Sequence, residues 1–147
     1  MKYAEVWADE FIDCFYYNKP CDREEMLKKM YWIISEILIE DMVYRMWEDD
    51  PEKIERHKDL TGKLENAIKR WNGSLEMGTH IKEIREKYNG YIYEADLETL
   101  TADEIFSLTA YPFCGRMGGG YENDFAECGS LGRHLVALKK KDIEEDV

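Results

Sequence analysis

Two stretches decide the fold: YIYEAD, residues 91–96, and RHLVALKKK, residues 133–141. The first alternates and is rich in β-formers, which predicts a strand. The second reads equally as a strand partnering residues 91–95 or as a helix with Leu131, Leu135 and Leu138 on one face. Ser130, a ready cap, favours the helix. The terminal DIEEDV reads as a frayed acidic tail.

Working outward, Thr101 and Glu104 form a capping box, in which each side chain satisfies a free backbone N–H at a helix start. That box opens a short helix with Ile105, Phe106 and Leu108, ending before Pro112. Thr79 is placed to cap another, carrying Ile81, Ile84 and Tyr88 and closed by Asn89-Gly90.

Toward the N-terminus, Tyr3, Val6, Trp7, Phe11, Cys14 and Phe15 recur three and four apart, predicting a helix over 2–17 with one buried face. Asn18-Lys19-Pro20 ends it. Asp22 and Glu25 match a second capping box, and a long helix follows to about residue 48. It is apolar on most of its circumference, with one polar stripe of Glu25, Lys29, Trp32, Glu36 and Glu40, which marks it as the central helix. A third helix, with Pro51 at its start, is expected to run to Trp71, with Ile54, His57, Thr61, Leu64, Ile68 and Trp71 on its seam.

The expected fold class is therefore α+β, predominantly helical, in one domain. Residues 1–72 form a three-helix bundle. Residues 73–147 hold short helices, the strand at 91–96, its partner if 133–138 is extended, and a glycine-rich loop at 115–120.

The chain has 147 residues, with 20 Lys and Arg against 32 Asp and Glu, a net charge of −12. Nucleic acid is an unfavourable direct ligand for such a charge. Residues 1–50 carry 6 basic and 13 acidic side chains, leaving −7. The densest apolar run, MYWIISEILIEDMVYRMW, is interrupted by Glu36, Glu40, Asp41 and Arg45, so no membrane span is expected. The N-terminus shows no apolar signal core, so the expected compartment is the cytoplasm and the four cysteines are expected to be thiols.

The stretch from 112 to 134 offers a phosphate cradle, but Gly118-Gly119-Gly120 is followed by Tyr121, Glu122, Asn123 and Asp124, where a nucleotide loop needs Gly-Lys-Ser/Thr. It reads as a connection and contact loop, with Arg116, Gly118, Gly119, Gly120 and Tyr121 as its contact residues. Cys114, Cys128 and His134 have ligand chemistry without the paired cysteine spacing of a zinc site. Glu10 with Asp13, Asp22 with Glu25, and Glu36 with Glu40 are the carboxylate pairs that a magnesium-dependent nucleotide hydrolase would use. His57 fits a core position, and His80 lies near a helix start without a visible partner.

The remaining feature is an aromatic and acidic surface of Glu25, Trp32, Glu36, Glu40, Trp47, Glu48, Asp49 and Asp50. Large aromatics rimmed by charge suit a protein interface. The leading expectation is a non-enzymatic acidic domain that binds a basic protein, such as a nucleic-acid enzyme, as an inhibitor or immunity-type antagonist. No catalytic residue, cofactor or metal is assigned. The alternatives are the magnesium-dependent hydrolase and a homo-oligomer closed by exposed aromatics.

Overall fold

Residues 91–96 do not extend. Tyr91–Asp96 folds into a 3-10 turn over Ile92–Glu94, with Glu94 N–H donating to Tyr91 O at 3.0 Å and Ala95 N–H to Ile92 O at 3.3 Å. The structure, a computed structural model, describes residues 1–47, 52, 77–113 and 121–146, and gives only backbone along 39–47 and at 78. Among these residues no strand or sheet occurs, which overturns the α+β class and the three-helix bundle with a strand pair. The reason lies in the other stretch. Residues 133–141 are helical, so their backbone groups are satisfied within the helix and cannot pair with a strand.

Six α-helices are described: α1 (Asp9–Phe15), α2 (Arg23–Trp47), α3 (Met77–Lys87), α4 (Ala102–Ala110), α5 (Tyr121–Glu127) and α6 (Ser130–Glu145). Further 3-10 turns occupy Leu97–Thr99 and Tyr111–Phe113. The third helix expected over 51–71 lies outside the described residues, apart from one helical position at Glu52. Among the described residues the central position belongs to α6, which packs on α1, α4 and α5, rather than to α2. Among the described side chains of α2, Leu27, Met30, Ile34 and Ile37 are buried.

Of the side chains its periodicity indicates, the N-terminal segment buries Tyr3, Val6, Phe11, Cys14 and Phe15 and half-buries Trp7, but the expected helix over 2–17 breaks into a turn and a helix at Ala8. The Thr101–Glu104 box forms in both directions, at 3.2 and 3.1 Å. Asn89 and Gly90 take positive φ after α3, and Gly90 N–H returns to Arg85 O at 2.8 Å, closing the helix. Thr79 lies inside α3 rather than at its cap. Cys14 and Cys21 are joined in a disulfide, against the expectation of thiols, and Cys128 is free. The expectation of thiols follows from the expected cytoplasmic compartment, and the bridge does not fit that inference. No described helix is long and apolar enough to cross a membrane.

The expected frayed tail is the last turn of α6. Asp142, 3% exposed, accepts backbone N–H groups of Lys2 and Tyr3 at 3.0 and 2.9 Å and the Trp7 indole N–H at 2.8 Å. Glu145 accepts Ala102 N–H at 3.1 Å and so caps α4 from outside. Periodicity places position 142 on the buried face with Leu131, Leu135 and Leu138. Because the N-terminal backbone offers two donors there, a carboxylate is the residue that fits.

At the other end of α6, Gly132 lets α1 approach closely. A Cβ at this position would press on the Phe15 carbonyl oxygen and lie 2.8 Å from Tyr16 Cα. Gly132→Ala is expected to cost about 3 kcal/mol, the upper part of the overpacking range. Asp142→Ala strands one buried and two part-buried donors and is expected to cost about 3 kcal/mol. Urea unfolding read by tryptophan fluorescence checks both. Losses below ~1 kcal/mol would contradict these roles.

Candidate functional site

Helix α2 begins where Asp22 Oδ1 accepts Glu25 N–H at 3.2 Å, and the first turns that follow present their outer face to water. Trp32 is 70% exposed, and Tyr31 packs edge-on against it with ring centroids 5.8 Å apart. The two rings border a cleft of about 250 Å³ between α2 and α5. Leu27 contributes apolar surface, Glu24 and Lys28 line the α2 side, and Glu122 and Asn123 line the α5 side. Tyr121, the last residue of the expected contact loop, is exposed at the start of α5.

The predicted surface is brought together only in part. Glu25 and Trp32 share the exposed face, whereas Glu36 is half-buried. Glu40 and Trp47 lie on the α2 backbone with side chains outside the description, and Glu48, Asp49 and Asp50 lie outside the described residues altogether. Arg116, Gly118, Gly119 and Gly120 also lie outside them. The local charge is more balanced than the net charge suggests. Lys28 pairs with Glu24 at 3.8 Å, and Lys29 reaches back to Glu10 of α1 at 3.6 Å.

Of the carboxylate pairs of the hydrolase reading, Glu10 with Asp13, and Asp22 of its pair with Glu25, are engaged elsewhere, and Glu36 with Glu40 includes a side chain outside the description. Glu10 faces Lys29, Asp13 faces Lys19 at 3.3 Å, and Asp22 caps α2. Among the described residues no group of three or more His, Cys, Asp and Glu side chains is placed to hold a metal ion.

Cys128 and His134 point to different environments, and Cys114 lies outside the described residues. The Cys128 thiol donates to Ser130 Oγ at 3.2 Å, and hydrogen bonding from Ser130, aided by the Arg133 charge, holds its pKa below the ordinary thiol value. His134 is 3% exposed, with its ring 5.0 Å from Phe125 and 5.7 Å from Tyr93. Its Nδ1 lies 2.7 Å from the Ser130 carbonyl oxygen, which only accepts, so Nδ1 carries the proton. Nε2 is enclosed without a hydrogen-bond partner among the described residues.

His80 has a partner that its sequence position did not disclose, Ser107, with Nδ1 2.9 Å from Oγ. Ser107 is fully buried and its hydroxyl donates to Asp103 O at 2.9 Å, so the pair links α3 to α4 and offers no accessible nucleophile. No family model matches the chain, and no curated protein or solved structure matches it either.

Burial drives the His134 pKa down to about 4, against the Ser130 hydrogen bond, which raises it, and with the Arg133 charge, which lowers it. The folded state therefore prefers neutral imidazole. Its contribution is complete above the unfolded value near 6.5 and is lost as pH falls toward 4, by about 3 kcal/mol in all. Urea midpoints at pH 7 and at pH 4.5 should fall more for the native chain than for His134→Gln. Equal falls would show that His134 does not set the acid response.

Proposed function

We propose that the chain is a non-enzymatic binding domain whose α2 surface, centred on Trp32, receives a basic face of a partner protein. The exposure of Trp32 supports this reading most. An indole left in water forgoes about 2 kcal/mol of burial that docking would recover. Its face also attracts cationic side chains. Glu24 and Glu122 line its cleft, Glu25 lies seven residues earlier on the same exposed face, and Lys28 pairs with Glu24. An Arg or Lys of the partner would stack on the ring while its charge meets these carboxylates. The surplus of acids in residues 1–50 adds long-range attraction and speeds encounter with a basic protein. Nucleic-acid enzymes are the partner class this reading favours, because their phosphate-binding surfaces are basic, and an antagonist of such an enzyme would occupy that surface.

The immobilised chain should capture basic proteins from a lysate at low salt and release them as salt rises. Trp32→Ala should reduce capture by about thirtyfold, the scale of an interface hot spot, and Glu25→Lys should slow association. Exchange of a remote exposed acid, Glu94→Lys, should change neither. Capture that ignores both salt and Trp32 would overturn the reading. So would sedimentation in which Trp32→Ala converts a native dimer to monomer, since the indole would then close a self-interface.

A further inference from the structure

The chain carries −12, yet four of its five cationic side chains beyond residue 100 lie on α6: Arg133, Lys139, Lys140 and Lys141. They are not used alike. Lys139 pairs with Asp9 at 3.1 Å and lies 5.5 Å from the Trp7 ring, so it serves the fold. The other three line a groove of about 230 Å³ on another face of the helix. Among the described residues neither Lys140 nor Lys141 has an ion-pair partner, and Arg133 uses one N–H on Ser130 Oγ at 2.9 Å.

The groove is bounded by three elements. Val136 and Ala137 contribute apolar surface from α6, Leu97 and Glu98 come from the 3-10 turn, and Tyr16 comes from the residue following α1. Arg133 and Lys140 are seven residues apart, about 10 Å along the helix. Cations thus stand toward both ends of a stretch whose middle is apolar. Glu98 is the only carboxylate among the described lining residues.

We propose that this groove binds a small organic phosphate, with its phosphate between Lys140 and Lys141 and its apolar body along Val136, Ala137 and the Tyr16 ring. Ammonium and guanidinium groups are strong phosphate donors. The volume is below that of a drug-sized pocket and suits one ring or a short chain bearing one phosphate. The distant carboxylates do not cancel this field, because salt screens charges beyond about 8–10 Å. The site shares no residue with the Trp32 cleft.

Calorimetric titration of the full chain at about 0.15 M salt, where that screening holds, tests the proposal with three probes: adenosine monophosphate, hexyl phosphate and inorganic phosphate. One of the two organic phosphates should saturate a single site at least about tenfold more tightly than inorganic phosphate, the equivalent of ~1.4 kcal/mol. Adenosine monophosphate as the tighter ligand identifies an aromatic body, and hexyl phosphate an aliphatic one. Lys140→Gln with Lys141→Gln should weaken that binding by about tenfold or more. Lys82→Gln with Lys87→Gln, the same charge change on α3, should leave it unaltered. Failure of both organic phosphates to saturate would overturn the proposal. Equal affinity for inorganic phosphate, or binding indifferent to the α6 substitutions, would also overturn it.

Discussion

The described architecture depends on the carboxylate of Asp142. A buried carboxylate is costly unless its oxygens are fully engaged, and a chain segment packed against a helix is costly unless its backbone N–H groups find acceptors. Each cost offsets the other here. Asp142 accepts from Lys2, Tyr3 and the Trp7 indole, bridging about 140 positions of sequence in one contact set. With the segment held, Tyr3 stacks on Phe106 with centroids 4.5 Å apart, and its hydroxyl donates to Asp103. Lys2 adds an ion pair to the same Asp103 at 3.6 Å. The N-terminal turn, α4 and α6 are thereby fixed as one unit before any other contact is considered.

That arrangement assigns separate faces of α6 to separate tasks. The inner face carries Leu131, Leu135, Leu138 and Asp142 into the core. His134 projects toward Phe125 and Tyr93, where the low dielectric keeps it neutral. Arg133, Val136, Ala137, Lys140 and Lys141 line the outer groove. The groove exists because Gly132 admits the α1 backbone at Phe15 and Tyr16, which sets the Tyr16 ring as a wall. A close helix approach and a binding surface therefore have a common cause in one missing side chain.

Much of this was legible in the sequence where a local rule acts alone. The Thr101–Glu104 box and the Asn89-Gly90 stop form as read, and residues 3–15 bury most of their periodic apolar positions, though as a turn and a helix, because capping and burial of apolar side chains need no knowledge of distant partners. Residues 91–96 misled because alternation reports only which side chains share a side. Whether backbone groups pair depends on a neighbour, and the expected neighbour was helical. Asp142 misled for the opposite reason: a periodicity count weighs apolar residues and passes over a carboxylate at a buried position. The Cys14–Cys21 bridge joins the C-terminal part of α1 to the loop before α2, a geometry that spacing alone does not define. Trp32 was correctly placed on the polar side of α2, but of the acids grouped with it only Glu25 shares the exposed face: Glu36 is half-buried, the Glu40 side chain lies outside the description, and Glu48, Asp49 and Asp50 lie outside the described residues.

Net charge is the coarsest of these readings, and the cationic groove shows why. A value of −12 is a sum over a molecule larger than the screening length, so it governs how a charged partner approaches from a distance. Docking is governed by the few groups within several ångströms. Around Trp32 those groups leave a small carboxylate excess beside exposed rings, and along α6 they leave three cations against Glu98. An acidic chain can therefore attract a basic protein to one face and hold an anion on another without contradiction. The two faces differ in how they respond to salt: approach to the first gains from the whole charge of the chain, whereas entry to the second works against it. Added salt should consequently weaken the first association steeply. At the second, relief of the long-range repulsion partly compensates for the loss of local attraction.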